Sequence, residues 1–291
     1  MDIIKNRKKF FAFSFIIILI GFVTIIINHF SGKGALNFDV EFTGGTSLHI
    51  NIGENFNNKD IENIIKDITG NISPQIQKVT GTNEVTIKTQ SIDSEKRIEL
   101  INALKEKYSN LEIYDISDVG STISKEMQRT AILAVLVSCI SMLVYISIRF
   151  NDFRAGASAI FALCHDVLIV LTFYAILRIP VNNSFIAALL TVLGYSINAT
   201  IVIFDRIREN KNNFKQNEVA EKINKSVRQT LARSVYTSLT TLFTIGIIYL
   251  LGVQPIKEFA LPIIIGIISG AYSSVFLAGA VWYMLINKNE K

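Results

Sequence analysis

The sequence predicts a polytopic α-helical membrane protein with six transmembrane helices and one extracytoplasmic α+β domain between helices 1 and 2. Three observations predict this fold class. Half of the 291 residues are hydrophobic, and the mean hydropathy is +0.39. Six apolar runs approach or exceed the length of about 20 residues that a helix needs to cross a bilayer. One long polar segment separates the first of these runs from the other five.

Residues 1–30 are predicted to form a cytosolic N-terminus and the first transmembrane helix. The apolar run Phe10–Ile27 follows four basic residues, a pattern that secretory signal peptides share. Its 18 uncharged residues exceed a signal-peptide core, and the following Asn28-His29-Phe30 lacks the small residues of a cleavage site. We therefore expect an uncleaved helix.

Residues 31–127 are predicted to form the extracytoplasmic domain, since hydrophobic periodicity there alternates between strand and helix patterns. Asp93 has the position of a helix N-cap. No combination of nucleophile, base and orienting group is recognisable, so we predict no catalytic residues. The order βαββαβ predicts a ferredoxin-like sandwich. The predicted elements are a strand over Val40–Ile50, a helix over Asp60–Ile68, a hairpin of Ile76–Thr80 and Glu84–Thr89 around Gly81-Thr82-Asn83, a helix that buries Ile98, Ile101 and Ala103 or Leu104, and a strand over Leu111–Ile116.

Residues 128–291 are predicted to form a five-helix transmembrane domain with a cytosolic loop over residues 205–233. In that loop, Val219, Ile223 and Val227 recur at helical spacing between basic residues, which predicts an amphipathic helix at the membrane interface. The five apolar runs are Thr130–Ile148, Ala155–Leu177, Asn183–Phe204, Ser234–Val253 and Phe259–Ile286.

The distribution of Lys and Arg predicts that both termini are cytosolic. The loop from Arg206 to Arg233 holds eight basic residues, whereas the short loops on the opposite side hold only Arg178 and Lys257. Residues 31–127 carry 15 acidic and 10 basic side chains, and the rest of the chain carries 9 and 19. The basic excess therefore indicates positive-inside topology and contact with anionic membrane lipid, and it does not indicate nucleic-acid binding.

Asp166 is the first candidate for chemistry in the membrane. It lies 12 residues from both Arg154 and Arg178, so a straight helix places it about 18 Å from either end. A charged aspartate at that depth costs roughly 3 kcal/mol, so it must be protonated, paired or exposed to a wet cavity. A neutral Asp166 that locks helix packing is the alternative. His165 points about 100° away round the helix, so we expect the two side chains not to share a face.

The fourth and fifth membrane helices carry further polar candidates. Asn198 and Thr200 precede Asp205 on the fourth helix, and Arg233 is expected to open the fifth. The hydroxyls that follow Arg233 are expected to hold helices together. On the last helix, Gly266 and Gly270 have the spacing that permits close helix packing. The hydroxyl residues are Ser234, Thr237, Ser238, Thr240, Thr241 and Thr244.

The two cysteines, Cys139 and Cys164, both lie in apolar runs and have no CxxC spacing. They predict neither a disulfide framework nor a metal site, and we interpret them as packing residues.

Several motifs together resemble the SecD/SecF family of protein translocase accessory subunits, within the resistance-nodulation-division superfamily, and specifically its SecF half. The resemblance covers essentially the whole chain. The matching motifs are Phe42-Thr43-Gly44-Gly45, Val119-Gly120, His165-Asp166-Val167, Gly194-Tyr195-Ser196 with Asn198, Phe204-Asp205-Arg206 with Arg208-Glu209-Asn210, and Tyr272-Ser273-Ser274.

The resemblance implies a subunit of the bacterial cytoplasmic membrane that pairs with SecD and uses an ion gradient to promote late steps of preprotein export. It implies the SecYEG translocon, YidC or YajC, and unfolded preproteins as partners, with no cofactor beyond a transported H⁺ or Na⁺. The family's central motif usually reads Asn-Asp-Ser/Thr, and its Asp is considered part of a proton relay with an Arg matched by Arg233. This chain has Ala199 at the Asp position. The relay candidates are therefore Arg233, Asp166, Asp205, Asn198 and His165.

Three other functions stay open at this point. Ala199 cannot hold a proton, so the chain could be a structural subunit without coupling. A half-size exporter of small molecules from the same superfamily is a second possibility, although such pumps usually have twelve helices in one chain. An intramembrane aspartyl protease is the third, although its Gly-x-Gly-Asp and Tyr-Asp pairs are absent from the sequence.

Overall fold

The computed structural model describes residues 2–32, 34–70, 74–78, 82–215 and 218–287 of the chain. The chain divides into two compact units. One consists of Met1–Asn37 and Leu133–Lys291, and the other of Phe38–Ile132. Six described helices are long and apolar enough to cross a membrane: Arg7–Phe30, Ser121–Phe150, Phe153–Leu177, Asn183–Asn213, Val219–Leu251 and Ile256–Asn287.

The elements follow one another with few irregular residues between them. A 3-10 turn over Asn210–Asn213 follows α7, and a π-helical segment over Ser274–Ala278 separates α9 from α10. In chain order, the elements are α1 (Arg7–Phe30), β1 (Asn37–Phe38), α2 (Val40–Thr43), β2 (Gly45–Asn51), α3 (Asn58–Thr69), β3 (Gln75–Lys78), β4 (Glu84–Thr89), α4 (Ser94–Lys107), β5 (Glu112–Val119), α5 (Ser121–Phe150), α6 (Phe153–Leu177), β6 (Pro180–Val181), α7 (Asn183–Glu209), α8 (Val219–Leu251), α9 (Gln254–Ser273) and α10 (Gly279–Asn287).

The unit Phe38–Ile132 contains a four-stranded antiparallel sheet in the order β3-β4-β2-β5. From β2 to β5 its elements follow the order βαββαβ. The inward side chains of the strands and of α3 and α4 form one apolar core, because each element presents one apolar face. The buried core residues are Leu48, Ile50, Ile52, Ile61, Ile65, Val85, Ile87, Leu100, Leu104 and Tyr108.

The predicted strand over Val40–Ile50 is correct only in its second half. Asp39 accepts a hydrogen bond from the Val40 amide and caps the short helix α2. Gly44 and Gly45 then have φ values of 76° and 150°, which favour glycine, and β2 begins at Gly45. A Cβ on Gly45 would clash with the Thr89 carbonyl oxygen of β4. The glycine pair therefore ends α2 and lets β2 and β4 approach.

The predicted hairpin and second helix are present, with one error in the buried face. Asp93 caps α4, and its carboxylate accepts from the Lys96 amide at 2.9 Å. Leu100 and Leu104 point into the core, whereas the predicted core residue Ile98 is 58% exposed. Ile98 is two residues from Leu100 and therefore lies on another side of the helix.

Strands β3 and β4 of the predicted hairpin pair antiparallel. Residues 79–81 of that hairpin lie outside the described residues.

The predicted interfacial helix is wrong, because Val219 begins the single 33-residue helix α8. Arg233 lies inside this helix and does not open it. Ile223 and Val227 are buried in the core of the bundle, and a Cβ on Gly279 of α10 would lie 3.0 Å from Ile223 Cγ2. The helical spacing of these residues was read correctly, but their apolar face packs against protein. Residues 288–291, which include Lys288 and Lys291, lie outside the described residues.

Candidate functional site

The centre of the membrane unit contains a fully buried carboxylate, Asp166 of α6, with four hydrogen-bond partners. Its Oδ2 accepts from the hydroxyls of Ser196 at 2.6 Å and Ser273 at 2.9 Å. Its Oδ1 accepts from the Ser269 hydroxyl at 2.6 Å and contacts His165 Nδ1 at 3.0 Å. We call Asp166 and these four partners the aspartate cage.

Three helices supply the aspartate cage. His165 and Asp166 lie on α6, Ser196 lies on α7, and Ser269 and Ser273 lie on α9. The two serines of α9 are four residues apart, so they share one face of that helix.

Two glycines on α9 bring it close enough to α7 for this arrangement. A Cβ on Gly266 would clash with the Val192 side chain of α7. A Cβ on Gly270 would lie 2.9 Å from Ser196 Cβ and Oγ. Only hydrogen atoms fit at these two positions, so the helix backbones can approach and the short serine side chains can reach Asp166.

His165 contacts both its neighbour Asp166 and the first helix, although the sequence predicts that the two side chains do not share a helix face. Its Nδ1 lies 3.0 Å from Asp166 Oδ1, and its Nε2 lies 3.0 Å from the hydroxyl of Ser14 in α1. Although adjacent Cβ atoms diverge by about 100°, the long imidazole can fold back along the helix. The Tyr272 ring stacks on it, with centroids 6.1 Å apart.

The hydrogen bonds indicate where the cage can hold a proton. A carboxylate has about four acceptor positions, and three hydroxyls and one imidazole N–H occupy them. The His165 tautomer with its N–H at Nδ1 is the one that can donate to this carboxylate. His165 Nε2 can then accept from the Ser14 hydroxyl or, once protonated, donate to it. Both ring nitrogens of His165 therefore have a polar partner.

The four hydrogen bonds also explain how a charge can be tolerated at this depth. A charged aspartate in a membrane helix costs roughly 3 kcal/mol on insertion scales. Each hydrogen bond to a charged group contributes about 1.5–3 kcal/mol. The partners of Asp166 are therefore sufficient to offset the penalty of burial.

A π-helical segment lies directly beside the cage. It covers Ser274–Ala278 and begins one residue after the cage residue Ser273. Ser274 is buried, and its hydroxyl lies 2.9 Å from the hydroxyl of Thr200 on α7. Such segments often occur at functional sites because they re-aim side chains within a helix. Here, consecutive serines contact two different polar groups.

The other predicted relay residues lie apart from the cage. Asn198 and Arg233 are exposed on α7 and α8, and Ala199 is half-buried. Among the described residues, no carboxylate lies within ion-pair distance of Arg233. We call the exposed side chains of Asn198 and Arg233 the outward polar face.

Asp205, another predicted relay residue, pairs with two arginines other than Arg233. Its Oδ1 lies 3.2 Å from the Arg149 guanidinium and 3.4 Å from that of Arg208. Arg208 is three residues further along α7, and Arg149 is at the end of α5. Asp205 therefore connects the ends of two helices.

The hydroxyls of α8 only partly hold helices together as expected. Thr237, Thr240 and Thr244 donate to carbonyl oxygens of their own helix at 2.9–3.1 Å. Thr237 and Thr241 contact α7 through Tyr195. The Tyr195 hydroxyl donates to the Thr237 carbonyl at 2.8 Å and accepts from the Thr241 hydroxyl at 3.2 Å.

Sequence reasoning identified Asp166 but missed its partners Ser196, Ser269 and Ser273. It also missed the contact of Ser14 with His165. Ser196 and Ser273 stood in motifs, and the spacing of Ser269 and Ser273 was visible in the sequence. No pattern in the sequence indicates that α1 reaches His165. That contact depends on how the helices pack.

Known proteins resemble the chain over most of its length. The family model described as protein export membrane protein SecD/SecF, C-terminal, matches residues 99–288. The protein translocase subunit SecF of Acidaminococcus fermentans is 35% identical over 296 residues, which cover 100% of this chain and 99% of that relative. The protein translocase subunit SecDF of Thermus thermophilus is 36% identical over 250 residues, which cover 84% of this chain and 34% of that relative.

A solved structure is similar over nearly the whole chain. The crystal structure of SecDF, a translocon-associated membrane protein from Thermus thermophilus, matches with a TM-score of 0.86 at 32% identity. The match covers 99% of this chain and 39% of the SecDF chain.

Proposed function

Because this chain belongs to the SecD/SecF family of protein export membrane proteins, we propose that it is a multi-pass membrane subunit that assists protein translocation and uses an ion gradient to promote late export of preproteins. The observation that carries the ion-coupled part is the aspartate cage. It places one buried carboxylate and one imidazole where a proton can be held between helices.

The relay would act through the cage instead of the position occupied by Ala199. Protonation of His165 Nε2 changes the charge of the cage by one unit and reverses the hydrogen bond with Ser14 of α1. Since α6, α7 and α9 all contribute to the cage, such a change would favour a different packing of these helices. Sodium binding to Asp166 is the other way in which the same carboxylate could couple to a gradient.

The outward polar face supports a partner in the membrane. An exposed arginine next to an apolar helix is costly in contact with lipid, and such residues usually face protein or water. We propose that a SecD-type subunit covers Arg233 and Asn198 and supplies an acidic group there. The combined SecD and SecF name of the Thermus thermophilus relative supports this type of association.

The βαββαβ unit would be the working domain on the far side of the membrane. We propose that it is a ferredoxin-like extracytoplasmic domain that guides unfolded preproteins, with both chain termini in the cytosol of a bacterial cell. The excess of acidic over basic residues in this unit supports this orientation. So do the basic residues at the helix ends on the other side of the membrane. SecYEG and YidC or YajC remain proposed partners.

The test is late-stage translocation into inverted membrane vesicles that contain this chain and its SecD-type partner. The proton and sodium gradients are collapsed separately, and the native chain is compared with Asp166→Asn. We expect collapse of one gradient, or Asp166→Asn, to abolish the stimulation. Asp67→Asn is the matched control, because it removes an exposed carboxylate from the unit Phe38–Ile132, which holds no part of the cage.

The same experiment separates the alternative functions. Stimulation that is insensitive to both gradients in the native chain would make it a structural subunit without coupling, as Ala199 allows. Stimulation that depends on a gradient but is unchanged by Asp166→Asn would remove the cage from the mechanism. Comparable expression of all chains in the vesicles is required for each comparison.

A further inference from the structure

A basic cavity with aromatic walls lies at one end of the helix bundle, far from the aspartate cage. Its volume is about 430 Å³. It is formed where α5, α7 and α10 end and where α6 and α8 begin, so it lies at the depth of one membrane interface. Its lining residues are Phe150, Asn151, Asp152, Arg154, Ala155, Phe204, Ile207, Arg208, Lys211, Lys222, Trp282 and Ile286.

The cavity has a large excess of positive charge. Four cationic side chains line it, against the single carboxylate of Asp152. Asp152 is already occupied, since it caps α6, pairs with Arg154 at 3.2 Å and accepts from Trp282 Nε1 at 2.9 Å. Arg208 pairs with Asp205, which Arg149 also contacts.

Lys211 and Lys222 supply the uncompensated charge. Among the described residues, neither has a carboxylate oxygen within 4.0 Å. Lys222 instead lies over the Trp282 ring, 5.7 Å from its centroid. Two ammonium groups that line one cavity favour an anionic ligand.

The walls of the cavity favour a ligand that is also apolar. Phe150, Phe204 and Trp282 form a continuous aromatic wall, with ring centroids 5.8 and 6.1 Å apart. Ile207 and Ile286 extend this apolar surface. A free phosphate would contact the cationic side chains but not the aromatic wall, whereas a phospholipid would contact both.

We propose that this cavity binds the headgroup of an anionic phospholipid, with the phosphate held by Lys211 and Lys222 and the glycerol region packed on the aromatic wall. The site is independent of ion coupling at the cage. It would hold one lipid against the ends of five helices, beyond the general attraction of basic residues to a membrane surface.

Trp282 provides a direct readout, because it is the only tryptophan in the chain. The protein is reconstituted into phosphatidylcholine vesicles that contain increasing fractions of brominated phosphatidylglycerol or brominated phosphatidylcholine, and quenching of Trp282 is measured. We expect saturable quenching at a low fraction of phosphatidylglycerol and weaker, linear quenching by phosphatidylcholine. Equal quenching by the two lipids would overturn the proposal.

Charge variants distinguish a specific lipid-binding site from general attraction of the lipid to a charged surface. K211Q with K222Q is expected to raise the phosphatidylglycerol fraction needed for half-maximal quenching about thirtyfold, since each basic residue near a membrane contributes roughly a fivefold effect. K215Q with K225Q is the control, because it removes two exposed charges from the same end outside the cavity. Equal effects of the two double variants on half-maximal quenching would show general surface attraction and would overturn the proposal.

Inorganic phosphate is the probe for the other source of the anion. It is added at constant ionic strength against chloride while quenching by phosphatidylglycerol is followed. No change is expected for a lipid site. Relief of quenching by phosphate alone would assign the cavity to a soluble phosphate and overturn the lipid.

Discussion

The aspartate cage and the outward polar face are both polar regions of the membrane unit, but they are satisfied in different ways. Asp166 is fully buried and has four hydrogen-bond partners from its own chain. Arg233 and Asn198 are exposed, and no described carboxylate pairs with Arg233. The cage is therefore complete within one chain, whereas the outward polar face requires protein or water from elsewhere. The stability of the isolated chain should therefore depend on the cage, and association with a partner subunit should depend on the outward polar face.

The largest effect is expected from removing the carboxylate of the cage. Asp166→Ala leaves three buried hydroxyls and His165 without their acceptor, which should destabilise the chain by about 3 kcal/mol. Asp205→Ala, which breaks half-exposed ion pairs, should cost less than about 1 kcal/mol. Unfolding of the purified chains by denaturant in detergent measures both. Equal losses would mean that burial does not distinguish the two aspartates.

A smaller effect is expected from filling the close contact that brings α9 to the cage. Gly266→Ala should destabilise the chain by about 1–3 kcal/mol, because its Cβ clashes with Val192. Gly194→Ala, on the facing helix α7, is the matched control, since no atom lies within 4 Å of its added Cβ.

The two glycine variants should change stability in opposite directions. Alanine is a better helix former than glycine by about 1 kcal/mol, so Gly194→Ala should stabilise or leave the chain unchanged. Thermal unfolding in detergent provides the comparison. Stabilisation by both substitutions would show that α7 and α9 can separate without cost.

The smallest effect on stability is expected at the outward polar face. Arg233→Gln should change the free energy of unfolding of the isolated chain by less than about 0.5 kcal/mol, because the side chain is exposed. It should instead weaken association with a SecD-type partner by at least about tenfold, as loss of a paired charge at an interface does.

Affinity for the purified partner at two salt concentrations checks this expectation. Lys225→Gln is the matched control, because it removes an exposed charge from the same helix. Unchanged affinity of Arg233→Gln would mean that the outward polar face is not part of the interface. A large loss of stability in the isolated chain would mean that Arg233 has a partner within its own chain.

The sequence was sufficient for the features that depend on local composition. Apolar length predicted six spans, and the helical period predicted the helix over Asp60–Ile68, whose Ile61 and Ile65 lie in the core. The errors have physical causes beyond local pattern. The spacing of Ile223 and Val227 is the same for a helix on lipid and for one packed on protein. The contact of His165 with Ser14 joins residues that are 151 positions apart, and a single sequence gives no measure of such distances.

The π-helical segment makes the end of the chain sensitive to length as well as to composition. A π turn contains one more residue than the α-helical turn that it replaces. The π turn takes up this extra residue, so the helix after Ser274–Ala278 keeps the direction that it would have after a regular α turn. If the π turn closed to an α turn with no residue removed, everything after it would rotate by about 100°. Trp282 would then point away from Asp152, to which it now donates at 2.9 Å. Deletion of one residue within the π-helical segment would restore a regular helix without this rotation, whereas deletion of one residue between the segment and Trp282 would produce it.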